Sequence, residues 1–396
     1  MENTAAISYS EIEAKNTSIN LSADFFLTET GEKAFYKRHI PLREIRTHYN
    51  KKGYGFHWSN FDAKLLQKLI INRHLKEIVI DRYEYTTKRK ETEDITKLII
   101  YGILFEEINR EICQVFVNSE FIESLNTKNP LKRIDMHSHF DNQTLQEFLK
   151  NNHEAVNEFK NILSIDPIAV VDNDSDLDEK AKAKRKFIIR DIIDNIEAKN
   201  WFLFYFILRT EEKVNIMQEI NHLILEYLQK IKIADYLSLM IIELLGNAEK
   251  GNFLTLLSTE GKIEKIRFAE MISNVESRQE LLLSAEKHHF SIILSYKFSY
   301  HIKTDSYILT ITVINKTTPV EEKAKKNSTP LYKHRTGKDL AGYLEDIPEE
   351  EISNTIGLFY LKFLNEVSKE VQMNFDAKVV FDDIRKETLS YLTLYF

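Results

Sequence analysis

Three residues in the stretch MIIELLGNAEKGN (240–252) could act together: Glu243, Asn247 and Lys250. Offsets of four and three residues stack side chains on one face of a helix. Asn is a mediocre helix former and the neighbouring Gly246 a poor one, so this segment is not composed for helicity alone. Mg²⁺ takes hard oxygen ligands and is usually held by one or two protein groups plus phosphate oxygens; an Asn carbonyl can supply one of them. A carboxylate one turn earlier can orient or deprotonate an attacking group. An ammonium one turn later can neutralise phosphate charge as a point donor. The bland reading is a surface helix with an incidental Glu–Asn pair.

The elements around this segment have legible patterns. NFDAKLLQKLIINRH (60–74) has helical spacing, and EIVIDRYEYTT (77–87) alternates like a strand. KLIIYGILFEEI and EICQVFVN are further buried elements of unassigned type. From about 140 to 232 the chain reads as helices, interrupted by the acidic-then-basic linker 172–186. In the helix at 211–232, Met217, Ile220, Ile224, Tyr227, Leu228 and Ile231 form one broad stripe, suited to core packing or to a homodimer. Helices at 235–250 and 262–287 follow, then strands at 290–299 and 307–315. A polar segment of about thirty residues leads to a helix at 355–371, and AKVVFDD and TLSYLTLYF close the chain as strands. The fold class expected is α+β. Its parts are a polar tail (1–20), an N-terminal α+β domain (21–130), a helical region (131–232) and a C-terminal α/β sandwich (233–396).

That succession, helix with E-x-x-x-N-A-x-K, two strands, polar segment, helix opening on Gly-Leu, two strands, resembles the ATP-binding domain of histidine kinases. The wider GHKL superfamily includes gyrase and the anti-sigma-factor kinases. The likeness covers about 233–396, and Asp235 precedes Asn247 by twelve residues, a spacing similar to the family's. The resemblance implies ATP and Mg²⁺ as cofactors. It makes Asn247 the Mg²⁺ ligand, Glu243 the catalytic polar or basic helper and Lys250 a phosphate contact. It also assigns nucleotide contacts to Asn315, Gly357, Leu358 and Thr388.

The glycine motifs are degenerate. Asn315 stands where the family has an adenine-binding Asp, and Lys316-Thr317-Thr318-Pro319 follows with no glycine. An Asn cannot match a carboxylate acceptor, and without glycine the backbone cannot approach a ligand closely. In SNTIGLFYLKF only Gly357 and Leu358 match, with Ser353 and Thr355 in glycine positions. Thr388 sits where the family has Gly-Thr before its last strand, with Glu387 beside it.

The leading expectation is therefore a signalling regulator that works through a protein partner, with nucleotide retained or lost left open. The alternative is an active ATP-dependent histidine or serine kinase, or an ATPase. A phosphoacceptor histidine is not conspicuous. His153-Glu154 has the right dipeptide but reads as a solvated surface residue, and His222-Leu223 as a packed one. A third reading is a metal-dependent hydrolase using RIDMHSHF (133–140), whose D-x-H-x-H order can supply metal ligands. The barrel alternation that normally frames such a site is absent.

Other features exclude more than they assign. The acidic run from Asp172 lacks the EF-hand glycine and glutamate, having Leu177 and Ala183 in those places. His288 and His289 are a strand entry, since adjacent strand residues point to opposite faces. GYGFHW (53–58) reads as a turn burying aromatics. The 396-residue chain is 43% hydrophobic with net charge −7, which argues for a folded protein and against nucleic acid as partner. The single cysteine, Cys113, excludes an internal disulfide framework and fits a reducing compartment. No apolar run is long enough to span a bilayer, and MENTAAISYSEIEAKN lacks a signal-peptide pattern. The location expected is the cytoplasm.

Overall fold

A computed structural model of the chain describes residues 18–46, 48, 52–136, 138, 140–208, 210–259, 268–301, 306–316, 364, 366–371 and 373–396. Gly357, Leu358, Ser353, Thr355, His137 and His139 lie outside the described residues. In chain order the elements are β1 (Ser18–Ile19), β2 (Ala23–Leu27), α1 (Glu29–Lys37), β3 (Arg43–Arg46), β4 (Lys52–Trp58), β5 (Phe61–Asp62), α2 (Ala63–Ile71), β6 (Leu75–Arg82) and α3 (Arg89–Val117). Helices α4 (Glu120–Lys128), α5 (Asn142–Asn151), α6 (His153–Asn173), α7 (Glu179–Asp194), α8 (Ala198–Ile207) and α9 (Lys213–Thr259) follow. The chain continues with α10 (Phe268–Ser273), α11 (Val275–Lys287), β7 (Ile292–His301), β8 (Ser306–Lys316), β9 (Asn374–Asp382) and β10 (Glu387–Tyr395). The mixture of helices with an antiparallel sheet is α+β.

The chain divides into two units. The first comprises 18–62, 72–99 and 233–396 and contains an eight-stranded antiparallel sheet in the order β3-β4-β2-β6-β7-β8-β10-β9. This partition differs from the one read from the sequence. The strands of the expected N-terminal domain and those of the expected C-terminal sandwich share one sheet, joined where Arg82 pairs with Ile292 and Glu77 with Lys297. β8 (SYILTITVINK) is rich in β-branched residues and mostly buried, as expected of an interior strand. GYGFHW is strand β4 and not a turn, and a β-carbon on Gly55 would collide with the Phe25 carbonyl oxygen across the β2–β4 pair. Phe25, Phe56, Trp58 and Phe61 pack there with ring centroids 5.3–6.0 Å apart.

Helix ends follow local chemistry. Thr28 caps α1, accepting from Gly31 N–H at 3.1 Å. The single helix expected at 262–287 is α10 and α11 among the described residues, with the Asn274 side chain capping α11 at Glu276 and Ser277 N–H.

The second unit, 63–71 with 100–232, is helical. Phe204 of α8 stacks on Phe116 of α3 at 5.3 Å and meets Phe159 of α6 edge-on at 5.7 Å. Residues 179–186 are the first half of α7 and not linker. Their basic side chains return to the acidic half, with Lys186 2.6 Å from Asp172 and Arg185 3.4 Å from Asp174. The helices expected at 211–232 and 235–250 are one continuous helix, α9. Ile220, Ile224, Tyr227, Leu228 and Ile231 are buried within the chain and Met217 is half-buried, so the stripe packs as core. Among the described residues, no helix is long and apolar enough to cross a membrane.

Candidate functional site

The residues singled out on α9 fall in the sheet unit, around a cavity of about 310 Å³. Glu243 and Lys250 line it and Asn247 does not. Glu243 is half-buried, with a carboxylate oxygen 3.8 Å from the Arg89 guanidinium. The helical face turned to the cavity is the neighbouring one, through Ile242, Gly246, Glu249 and Phe253. A charged residue on that apolar stripe needs partners, and buried Glu249 has several. Its carboxylate accepts the Tyr85 backbone N–H at 3.0 Å and the Thr86 hydroxyl at 3.2 Å. It also binds the Arg278 guanidinium, which reaches Glu84 at 3.4 Å. Tyr85 is buried, its hydroxyl donating to Ile80 O at 2.9 Å, and burial pushes that phenol well above its ordinary range. The sequence signal for Glu249 existed, a glutamate at helical spacing among Ile242, Gly246 and Phe253.

At the sheet ends, β8 and β10 bring Asn315 and Thr388 opposite each other in register. Both are buried. The Asn315 amide donates to Lys316 O at 2.8 Å. Beside them, buried Glu387 binds Lys316 Nζ and His48 Nε2, each at 3.0 Å. Asn252 of α9 ties the helix to this end, accepting Lys316 N–H at 2.9 Å while donating to Phe290 O at 2.9 Å. The sequence reading missed Asn252, because an Asn serving two backbones from different elements leaves no periodic trace.

Asp235, near the start of the Asn-bearing segment, is 3.0 Å from Lys97, which also holds Glu93 at 2.6 Å. Burial disfavours the Lys97 charge, but hydrogen bonds and attraction from both carboxylates outweigh it and raise its pKa. Asp235 thus reads as a structural ion-pair partner.

The candidate histidines His153, His222, His288 and His289 are exposed. His153 opens α6, with Nδ1 3.3 Å from Lys150 O, and His222 lies on the exposed side of α9, where a packed residue was expected. His288 and His289 occupy a turn before β7, and His289 has φ 56°. Among the described residues no cluster of His, Cys, Asp and Glu could hold a metal ion. Cys113 is buried, and burial raises its thiol pKa, so it behaves as a packing residue.

A larger cavity, about 520 Å³, lies in the helical unit and touches none of the sequence candidates. Its Glu212 carboxylate caps α4 through Glu120 and Phe121 N–H at 2.8 and 3.0 Å.

Residues 14–396 match the family described as a family of unknown function, DUF8084. The chain belongs to that family. A relative described as an uncharacterized protein of Treponema pallidum (strain Nichols) is 23% identical over 378 residues, covering 92% of this chain and 94% of the relative. No solved structure matches the chain.

Proposed function

We propose that this DUF8084 protein is a cytoplasmic signalling regulator built on a degenerate histidine-kinase-like ATP-binding domain, acting through contacts with a protein partner. The element order supports the domain reading: α9 with Glu243 and Asn247, then β7 and β8, then helical residues 366–370, then β9 and β10.

The observation that carries the loss of nucleotide is the state of the β8 and β10 ends. Asn315, at the position of the family's adenine contact, already donates to Lys316 O, and the Glu387 carboxylate is buried beside Thr388 in a pair with Lys316 and His48. A base needs donors and acceptors left open to it. Here they serve the protein's own strands, and a buried carboxylate opposes a polyphosphate. ATP and Mg²⁺ therefore fit these residues poorly.

The rival reading, an active ATP-dependent kinase or ATPase, draws on Glu243 and Lys250 lining one cavity. The metal-hydrolase reading rests on His137 and His139, outside the described residues.

Calorimetric titration of the full chain with Mg²⁺-ATP, beside Asn247→Ala, tests the proposal. No saturable heat at millimolar nucleotide is expected. Micromolar binding that disappears in Asn247→Ala would overturn the proposal in favour of the kinase reading.

A further inference from the structure

We propose that the cavity bounded by Gly246, Arg89 and Arg278 binds a small metabolite carrying a phosphate or carboxylate on a compact apolar body. Neither Asn315 nor Thr388 lines this cavity, and the proposal does not rest on nucleotide binding there.

The first argument is Gly246. Glycine in the middle of a long helix weakens it, so its presence requires a reason. Packing supplies none: a β-carbon built on Gly246 meets nothing within 4 Å. The residue lines the cavity, and any larger side chain there would occupy the cavity's own space. What the glycine preserves is volume. At about 310 Å³ the cavity lies at the small end of the roughly 300–1,000 Å³ range typical of ligand sites.

The second argument is charge. Three basic side chains line the cavity, Arg89, Lys250 and Arg278, against two acidic ones, Glu243 and Glu249. Glu249 is already bound by Tyr85 N–H, the Thr86 hydroxyl and Arg278. Arg278 Nε is buried with no hydrogen-bond partner among the described residues. Lys250 has no ion pair among the described residues, and Arg89 is held only loosely, 3.8 Å from Glu243. A buried, unpartnered guanidinium N–H is costly. An oxyanion in the cavity supplies acceptors to Arg89 and Lys250, whose charges the fold leaves weakly matched, and Arg suits its geometry by presenting planar paired donors.

The third argument is the wall. Tyr85, Ile242, Leu245, Phe253 and Ile272 give the cavity an apolar side, with Thr86 and Thr92 among its polar lining. Sites of this kind combine an apolar lining with a few placed polar groups. A bare inorganic ion would leave that lining unused, so the ligand carries an apolar or ring body behind its anionic head.

Calorimetry on the full chain with phenyl phosphate, benzoate and inorganic phosphate as probes tests the assignment. Saturable binding of phenyl phosphate or benzoate is expected, several-fold tighter than inorganic phosphate, and the better of the two identifies the head group. Gly246→Leu, which fills the cavity, is expected to weaken that probe at least tenfold, and Arg89→Gln at least threefold. Arg89 is largely exposed, so its variant decides the matter alone should Gly246→Leu not fold. No saturable binding of either ring-bearing anion overturns the proposal. So does wild-type affinity in Arg89→Gln or in a folded Gly246→Leu.

Discussion

Each unit buries a cluster of opposite charges, and the two are balanced differently. In the sheet unit, Glu249 is one acid met by several donors: a backbone N–H, a hydroxyl and the Arg278 guanidinium. In the helical unit, Lys230 is one cation among three acids, 3.1 Å from both Glu107 and Glu226 and close to Glu111. Burial disfavours the Lys230 charge, but the three carboxylates outweigh it and raise its pKa. Glu111 receives the excess negative charge. Burial, then repulsion from Glu107, pushes its carboxyl up to about 7. A buried acid surrounded by fixed donors is a permanent part of the fold. One that shares a single cation with two other acids responds to protons.

The largest effects should separate the two clusters. Glu249→Ala leaves Arg278 buried without its main partner and should cost roughly 3–5 kcal/mol, with little change between pH 5.5 and 8. Lys230→Ala should cost a similar amount at pH 8 and clearly less at pH 5.5, where Glu111 holds a proton and no longer needs the cation. Urea denaturation at both pH values checks this. A Lys230→Ala penalty that ignores pH would break the contrast.

A smaller effect isolates Glu111. Its folded-state pKa of about 7 lies above the ordinary value of 4.5. Its share of stability is therefore complete below about pH 4 and is lost as pH rises through 7. Glu111→Gln removes that loss. The variant should match wild type near pH 4 and exceed it at pH 8 by on the order of 2 kcal/mol, after allowing for partial exposure. Melting curves across that range decide it, and equal stabilities at pH 8 would place the carboxylate in a wetter setting than the structure gives it.

The smallest effect concerns the cavity. Gly246→Ala adds a methyl into open space and improves helix propensity, so a gain of about 0.5–1 kcal/mol is expected. A loss would mean that some contact at Gly246 is tighter than the structure shows.

These clusters also mark where the sequence was legible. Strands β7, β8 and β10 were readable because short runs rich in β-branched, aromatic and other apolar residues admit few other conformations, and α2 because its apolar residues repeat at helical spacing. The unbroken length of α9 was not, because KIKIAD (230–235) looks like a junction although it contains no Gly or Pro to stop a helix. Nor was β4, whose two glycines imitate a turn while Gly55 in fact permits close strand approach. In the candidate site, Glu243 and Lys250 were found from their spacing, but the adjoining face with Glu249 was passed over. Partners such as Tyr85, Arg278 and His48 come from elsewhere in the chain and become neighbours only through the fold.

The junction of β6 with β7 has a consequence for how the protein is made. Arg82 pairs with Ile292 across roughly 200 residues of intervening chain. At about 5–20 residues per second, a ribosome would take on the order of 10–40 s to deliver the second strand after the first. Through that interval β6 has β2 on one side and no β7 on the other, leaving a row of unpaired backbone groups exposed beside the apolar residues Leu75, Ile78 and Ile80. Closure of the sheet must then come late and over long range, the slow regime of folding. The nascent chain is thus most prone to aggregation after β6 has emerged and before β7 follows.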